Sequence, residues 1–381
     1  METEAKKQRN IVIRILSRIK SYITACLVIV TLIAYSAAFV SPDFFQFPQF
    51  VGMGFPYLLV VDVICAIVLG VLKRKGAIVL AVTVLLGFSF INETVQINPM
   101  VYADNANYKN MDDSSINIMS FNVRLLDRYN WIKGKNDTKQ QIFDFIKYES
   151  PDIVCFQEFY TRYSDSVNNQ TIIKDILSSP YVVRDYDADE HWLHTDNGYV
   201  IFSRFKIYNR RYIIDDQNNI NGINVDADVY GKTIRIFNIH LKYIHLGYDD
   251  YDFLDSLDHK NNRKNISGFK NIYQKISGAY SDRCKQASVI DSMIQVSPYP
   301  VVVCGDFNEP PVSYCYQKVK GNLKDAFCQS GKGFGTTITL KFLKFRIDYI
   351  LHSPQIISRG FKTYDEYLSD HSAIGCNIKL R

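Results

Sequence analysis

Apolar positions crowd into three long runs near the start of the chain, and beyond residue 97 the pattern changes to short apolar bursts separated by polar stretches. Tyr22–Val40 is nineteen residues without a charge, long enough for a helix to cross a hydrocarbon core of about 30 Å. Phe55–Leu72 is a second run, interrupted by Asp62, and Ala77–Ile91 is a third of fifteen residues, short for a full crossing. An acid inside such a run usually faces a helix partner, so Asp62 is expected to serve helix pairing. No small-residue cleavage site follows the first run, which therefore reads as a retained helix rather than a signal peptide.

The polar gaps set an orientation. Lys6, Lys7, Arg9, Arg14, Arg18 and Lys20 precede the first run, Lys73–Arg74–Lys75 separates the second from the third, and Ser41–Gly54 contains no Lys or Arg. Basic flanks stay cytoplasmic, which predicts an in–out–in–out path and an integral membrane protein with its C-terminal part outside the cytoplasm. The organisation expected is a membrane anchor of about three helices over residues 1–97, a polar linker over 98–115 and one large domain over 116–381.

In that domain Ile116–Arg124 alternates apolar and polar residues as a half-buried strand does. Segments at Pro151–Glu158, Gly198–Arg204, Ile234–Leu241, Val301–Cys304 and Arg346–Leu351 read as further strands, with a last one after Ser369–Ile374. Thr138–Glu149, with Ile142, Phe143, Phe145 and Ile146, has helical spacing, as does Arg283–Val296. Lys242–Asp282 is a long polar insertion with interleaved aromatics, expected to be a functional loop or a solvated decoration. Strands mixed with helices, without a strict βαβ order, predict a layered α/β sandwich.

Charge and cysteine narrow the classes. The chain has 44 Lys/Arg and 39 Asp/Glu; the first 94 residues hold nine and five of these, leaving 35 against 34 for the remainder. The large domain thus lacks the basic excess of a dedicated nucleic-acid binder. The eight Cys show no C-x-x-C spacing, so neither a zinc site nor a disulfide framework is signalled.

The chemistry sits where strands end. Asn122 closes the first strand, Glu158 ends the strand Pro151–Glu158, and His240 lies near the end of Ile234–Leu241. Asp306 and Asn308 stand just past Gly305, and in extended backbone two residues so spaced point to one side. Asp348 lies within the apolar run Arg346–Leu351, where burial without a partner is costly, and Asp370–His371 is an adjacent acid–base pair. Each has a plain alternative: turn chemistry for Asp306 and Asn308, a solvated rim for Glu158, a satisfied structural ring for His240. Five of these segments, those carrying Asn122, Glu158, Asp306/Asn308, Asp348 and Asp370/His371, present polar, mostly ionisable groups at strand ends and favour one shared site.

The ordered motifs S-F-N (Ser120–Asn122), F-Q-E (Phe156–Glu158), N-I-H-L (Asn238–Leu241), G-D-F-N (Gly305–Asn308), R-I-D-Y-I-L (Arg346–Leu351) and S-D-H-S (Ser369–Ser372) resemble the endonuclease/exonuclease/phosphatase superfamily over Ile116–Arg381. The resemblance implies a four-layered α-β-β-α sandwich with the site between the tops of two sheets. It implies a divalent cation, Mg²⁺ or Mn²⁺, on Glu158 with Asn122 and Asp370 close by. It implies Asp306 orienting or deprotonating the attacking water, Asn308 aligning the phosphate, and His371, steered by Asp348, facing it. His240 would contact the phosphate as a donor, with Asp196 as a candidate partner fixing its tautomer. A His in the N-I-H-L motif is similar to the deoxyribonuclease, sphingomyelinase and phosphatase branches, and unlike the abasic-site exonuclease branch.

The function expected is a membrane-anchored, metal-dependent phosphoesterase cleaving phosphodiester or phosphomonoester bonds. The substrate would be a phospholipid head group or a small phosphorylated molecule. The alternatives are an extracytoplasmic nuclease acting on DNA or RNA, and a non-catalytic membrane scaffold, which would need none of these ionisable groups.

Overall fold

A computed structural model describes residues 2–97, 114–132, 137–160, 169–185, 198–244, 262–340 and 343–381. Asp196 and the first part of the 242–282 insertion lie outside them. The chain forms two compact units, one of residues 1–92 with 312–314 and the other of residues 93–311 with 315–381.

The first unit is helical: α1 (Glu2–Ser36), α2 (Phe47–Met53), α3 (Phe55–Val71), α4 (Gly76–Leu86) and the start of α5 (Phe88–Thr94). Among the described residues one helical stretch, Ser17–Ser36, is long and apolar enough to cross a membrane, and up to three are if each bent pair counts as one span. Those pairs are α2–α3, bent by 67°, and α4–α5, bent by 69°. The third apolar run is thus broken at Gly87, not continuous from Ala77 to Ile91. The reason is a close approach: a Cβ at Gly87 would stand 2.1 Å from the Tyr35 ring. Asp62 is buried and accepts from the Thr31 hydroxyl at 2.6 Å, joining α3 to α1.

The second unit is mixed α/β with two six-stranded sheets. The first has the order β13 (Ile356–Thr363), β14 (Ile374–Leu380), β1 (Ile116–Asn122), β2 (Ile153–Phe159), β4 (Gly198–Ser203), β3 (Tyr181–Arg184). The second runs β5 (Ile207–Ile214), β6 (Ile220–Val229), β7 (Lys232–His240), β8 (Val301–Asp306), β12 (Asp348–His352), β9 (Lys324–Asp325). A small hairpin pairs β10 (Ile338–Leu340) with β11 (Leu343–Phe345).

Alternate residues of both sheets meet in one apolar core. Ile118, Ile153, Cys155 and Ile201 pack with Val225, Ile236, Val302, Cys304 and Ile350, all fully buried. The other face of the first sheet, Met119, Phe121, Val154 and Phe156, is covered by α6 (Thr138–Glu149) and α7 (Asn169–Leu177). The helix α8 runs from Asn262 to Gln295, so the second half of the expected insertion is helical. Among the residues whose burial is described, its later part carries a buried stripe at helical spacing, Tyr280, Cys284, Ala287 and Ile290, which is the stretch whose spacing signals Arg283–Val296. Two short helices, α9 (Tyr314–Lys320) and α10 (Ala326–Ser330), complete the described elements.

Candidate active site

Strand register assembles the site from three adjacent strands of each sheet. In the second sheet Asp306 ends β8. Its parallel neighbour β7 sets His240 opposite it, and its antiparallel neighbour β12 sets Asp348 opposite it. In the first sheet Asn122 ends β1, Glu158 lies near the end of β2, and Asp370–His371 leads into β14.

Two backbone departures aim these side chains. The β2–β4 pairing shifts register between Phe156 and Phe159, and Glu158 inside that bulge has φ +51°. A bulge re-aims a side chain at a strand end, and a non-glycine residue in the left-handed region persists only where its surroundings hold it. Asn308 has φ +52°, so Asp306 and Asn308 do not share a face of extended backbone. An Asx turn brings them together instead: Asp306 Oδ1 accepts the Asn308 amide at 2.8 Å. The Asn308 side chain donates to the Leu241 carbonyl at 2.9 Å, which fixes its carboxamide at the end of β7.

Asp306 Oδ2 is the meeting point. Asn122 Nδ2 donates to it at 3.1 Å, His240 Nε2 lies at 3.4 Å and His371 Nε2 at 3.6 Å. The same Asn122 nitrogen donates to Glu158 Oε1 at 3.1 Å, and His240 Nε2 is 3.9 Å from that oxygen. Glu158, Asn122, Asp306, His240 and His371 therefore converge. Behind them His371 Nδ1 and Asp348 Oδ2 share a 2.9 Å hydrogen bond. Asp370 is held otherwise: its carboxylate pairs with Arg124 Nε at 3.3 Å and accepts from the Ser369 hydroxyl.

Burial and charge act on the Asp348–His371 pair in opposite directions. Burial pushes Asp348 up to about 6 against the pull of His371. Burial also disfavours a charged His371, but Asp348 and Asp306 outweigh it and hold the ring well above the ordinary histidine range. The pair thus keeps its proton on the imidazole through neutral pH.

The donor set fits a divalent ion. Asp306, Asp348 and His371 each offer a ligand atom within 4.8 Å of the others, all buried. His371 and Asp348 already bond each other through Nδ1 and Oδ2. Glu158 and Asp306 are two carboxylates bridged by one amide nitrogen, that of Asn122, with no Lys or Arg ion pair to either among the described residues. Carboxylate and carboxamide oxygens of this kind suit a hard cation such as Mg²⁺ or Mn²⁺.

Three contributors have no role assigned from sequence, although Gln157 and Asn238 stand inside the F-Q-E and N-I-H-L motifs. Arg124 lies in a left-handed run, Arg124–Asp127, with φ of +42° to +56°, and its guanidinium stands 4.6 Å over the Trp131 ring. Gln157 and Asn238 are fully buried and bond each other at 2.7 Å. Asn238 also donates to the carbonyls of Phe156 and Val200, so an amide pair ties β7 to β2 and β4 directly beneath the site. The available hint is the pair of amides inside otherwise apolar strands.

The described Endonuclease/Exonuclease/phosphatase family matches residues 119–371, and residues 16–94 match a domain of unknown function, DUF8431. No curated protein matches the chain. Among solved structures, an endonuclease/exonuclease/phosphatase from Bacteroides vulgatus is 18% identical over 70% of this chain and 99% of its own, with a TM-score of 0.48. TDP2 from D. rerio, humanized by 14 mutations, is 16% identical over 70% and 100%, with 0.49. The human Nocturnin catalytic domain with bound sulfate is 20% identical over 70% and 95%, with 0.45. With the family spanning well over half of its length, this chain belongs to the endonuclease/exonuclease/phosphatase family.

Proposed function

We propose that the chain is a membrane-anchored, divalent-metal-dependent phosphoesterase in which Asp306 activates the attacking water. One observation carries this reading: Asp306 Oδ2 lies within 3.1–3.6 Å of Asn122, His240 and His371, residues from both sheets. A buried carboxylate so surrounded is oriented to accept a proton from water. Glu158 and Asn122 hold the ion, with Asp370 at the flank. An ion held there would supply Lewis-acid polarisation of a phosphoryl oxygen and a lowered pKa for bound water. His371, kept charged and oriented by Asp348, and His240 donate hydrogen bonds to charge that grows on the phosphoryl oxygens. Asn308 aligns the phosphate. The four-layered α-β-β-α arrangement belongs to this reading, supported by two sheets with one shared core and helices on the outer face of the first.

The membrane part of the reading rests on Ser17–Ser36 and the two bent helix pairs. With three crossings the catalytic domain, residues 116–381, is extracytoplasmic, and residues 98–115 link it to the anchor. The substrate is a phospholipid head group or a small phosphorylated molecule. A second reading, a nuclease, has its own observation. Tyr129 and Trp131 are 55% and 39% exposed, their rings are 4.9 Å apart, and Arg128 and Arg124 stack on them. Such exposed aromatics with arginines are a stacking surface for bases. The scaffold reading leaves a buried acid–imidazole constellation without a purpose.

The test is turnover by the full chain in detergent on a panel of chromogenic phosphodiester, sphingomyelin, inositol phosphates, plasmid DNA and RNA. Asp306→Asn is expected to lower kcat by about 10³-fold or more with the fold intact by circular dichroism. EDTA is expected to silence the enzyme, and Mg²⁺ or Mn²⁺ to restore it. Near-normal turnover by the variant, or indifference to EDTA, overturns the mechanism. Hydrolysis confined to DNA or RNA favours the nuclease.

A further inference from the structure

A second built feature lies wholly within the N-terminal unit. A cavity of about 560 Å³ opens between α1, α3 and α4. Its polar lining includes Ser17, Lys20 and Thr24 of α1 with Arg74 and Lys75 of the turn between α3 and α4. Its apolar lining includes Val28, Leu69 and Val79. The two kinds of residue are sorted along α1: Ser17, Lys20, Ser21 and Thr24 come first, and Ala25, Val28 and Ile29 follow. From Ser17 to Val28 the helix rises about 17 Å. The cavity is therefore cationic at one end and hydrocarbon at the other.

The donors at the cationic end are the three basic side chains. The Ser21 and Thr24 hydroxyls turn their protons back onto the Ser17 and Lys20 carbonyls, at 3.1 and 2.9 Å. Asp62 is bonded to Thr31, midway along the charge-free stretch of α1. Lys20, Arg74 and Lys75 have no ion pair among the described residues. The first turn of α4, eleven residues long, opens at Gly76 beside them and adds partial positive charge. Gly76 also permits the approach, since a Cβ there would meet the Thr24 hydroxyl oxygen at 3.1 Å.

Basic residues at helix ends are expected wherever a chain orients itself in a membrane. That rule needs charge near the ends, with no shared cavity and no apolar wall. We propose that this cavity seats an anionic glycerophospholipid, with its phosphodiester on Lys20, Arg74 and Lys75 and its acyl chains along Val28, Leu69 and Val79. A soluble phosphate would use the cations and leave the apolar end unfilled. The proposal rests on the reading of this unit as membrane-inserted. Recognition of lipid phosphate by cations between helices follows from general membrane electrostatics.

The test is native mass spectrometry of the full chain released from nanodiscs of phosphatidylcholine containing phosphatidylglycerol. The wild-type chain is expected to retain one phosphatidylglycerol in preference to phosphatidylcholine, and inorganic phosphate is expected not to displace it. Replacing all three cations (K20Q, R74Q, K75Q) is expected to cut retention about a hundredfold, on the scale of three cations at a lipid surface. Ala25→Phe, which fills the cavity without altering charge, is expected to lose the lipid as well. Equal retention of both lipids, displacement by inorganic phosphate, or unchanged retention in either variant overturns the proposal. The first two outcomes need no variant and stand even if a variant misfolds. Failure of the membrane reading is separable, because alkaline carbonate would then release the chain from membranes altogether.

Discussion

At the scale of single residues, the site turns on how Asp348 and His371 divide a proton. His371 has its folded-state pKa raised by two buried carboxylates. A raised histidine keeps its charge as pH climbs, and the stability and donor strength that charge supplies are lost only above the raised value. Activity should therefore hold across neutral pH and fall on the alkaline side. Asp348→Asn removes the largest attraction holding that charge, so the alkaline limb should move to lower pH. The same change also frees the ring to take the wrong tautomer, and kcat should drop by about 10²–10⁴. A pH–rate profile of the variant checks both effects; an unmoved alkaline limb would show that Asp348 does not govern the proton. The acid–imidazole adjacency of Asp370 and His371 is plain in sequence, yet the carboxylate that serves His371 is Asp348, twenty-three positions away. Asp370 turns to Arg124 instead. Sequence neighbours on an extended chain point apart, and only strand order chooses the partner.

At the scale of elements, the β8 strand and its glycine were readable. Pro300, a β-branched run and Gly305 mark a buried strand with a sharp end. The structure adds the reason for glycine: Gly305 has φ +149°, and a Cβ there would stand 1.9 Å from the Ile239 carbonyl oxygen. Gly305→Ala must part β8 from β7 at the point where Asp306 meets His240. It should cost about 2–4 kcal/mol, measured as a lower urea midpoint, and activity should fall with it. β5 and β6 were not readable. Asp226 and Asn224 are buried in β6, and polar residues at core positions mimic a loop. They are tolerated because the register sets Arg235 of β7 opposite Asp226, bonded at 2.7 Å, and Arg211 of β5 reaches the same carboxylate at 3.1 Å. Those partners lie in other strands, where local periodicity carries no trace of them.

At the scale of the whole molecule, two questions can be put to experiment. One is how the catalytic halves are kept in register. Gln157 and Asn238 bridge the sheets beneath the site. Gln157→Leu should leave Asn238 with a buried unpaired acceptor and cost about 1–3 kcal/mol. Because the misfit lies under Glu158 and His240, kcat should fall further than the loss of folded protein explains. Equal losses in both would reduce the pair to ordinary core packing. The other question is topology. Three crossings predict that protease added to intact cells or spheroplasts removes the catalytic domain, whereas a protected domain would sink that orientation.

The linear chain by itself determined which segments are apolar enough for a bilayer, which runs become core strands, and which polar residues stand at their ends, because burial and backbone period act within a few neighbouring residues. Tertiary structure alone decided which of those polar groups touch, that Glu158 and Asn308 adopt left-handed backbone, and that the amides of Gln157 and Asn238 pair to join the sheets. Those outcomes depend on strand order and register between segments up to 184 positions apart, as for Asn122 and Asp306. Contacts over such separations are set by the packing of the entire core, and no local pattern encodes them.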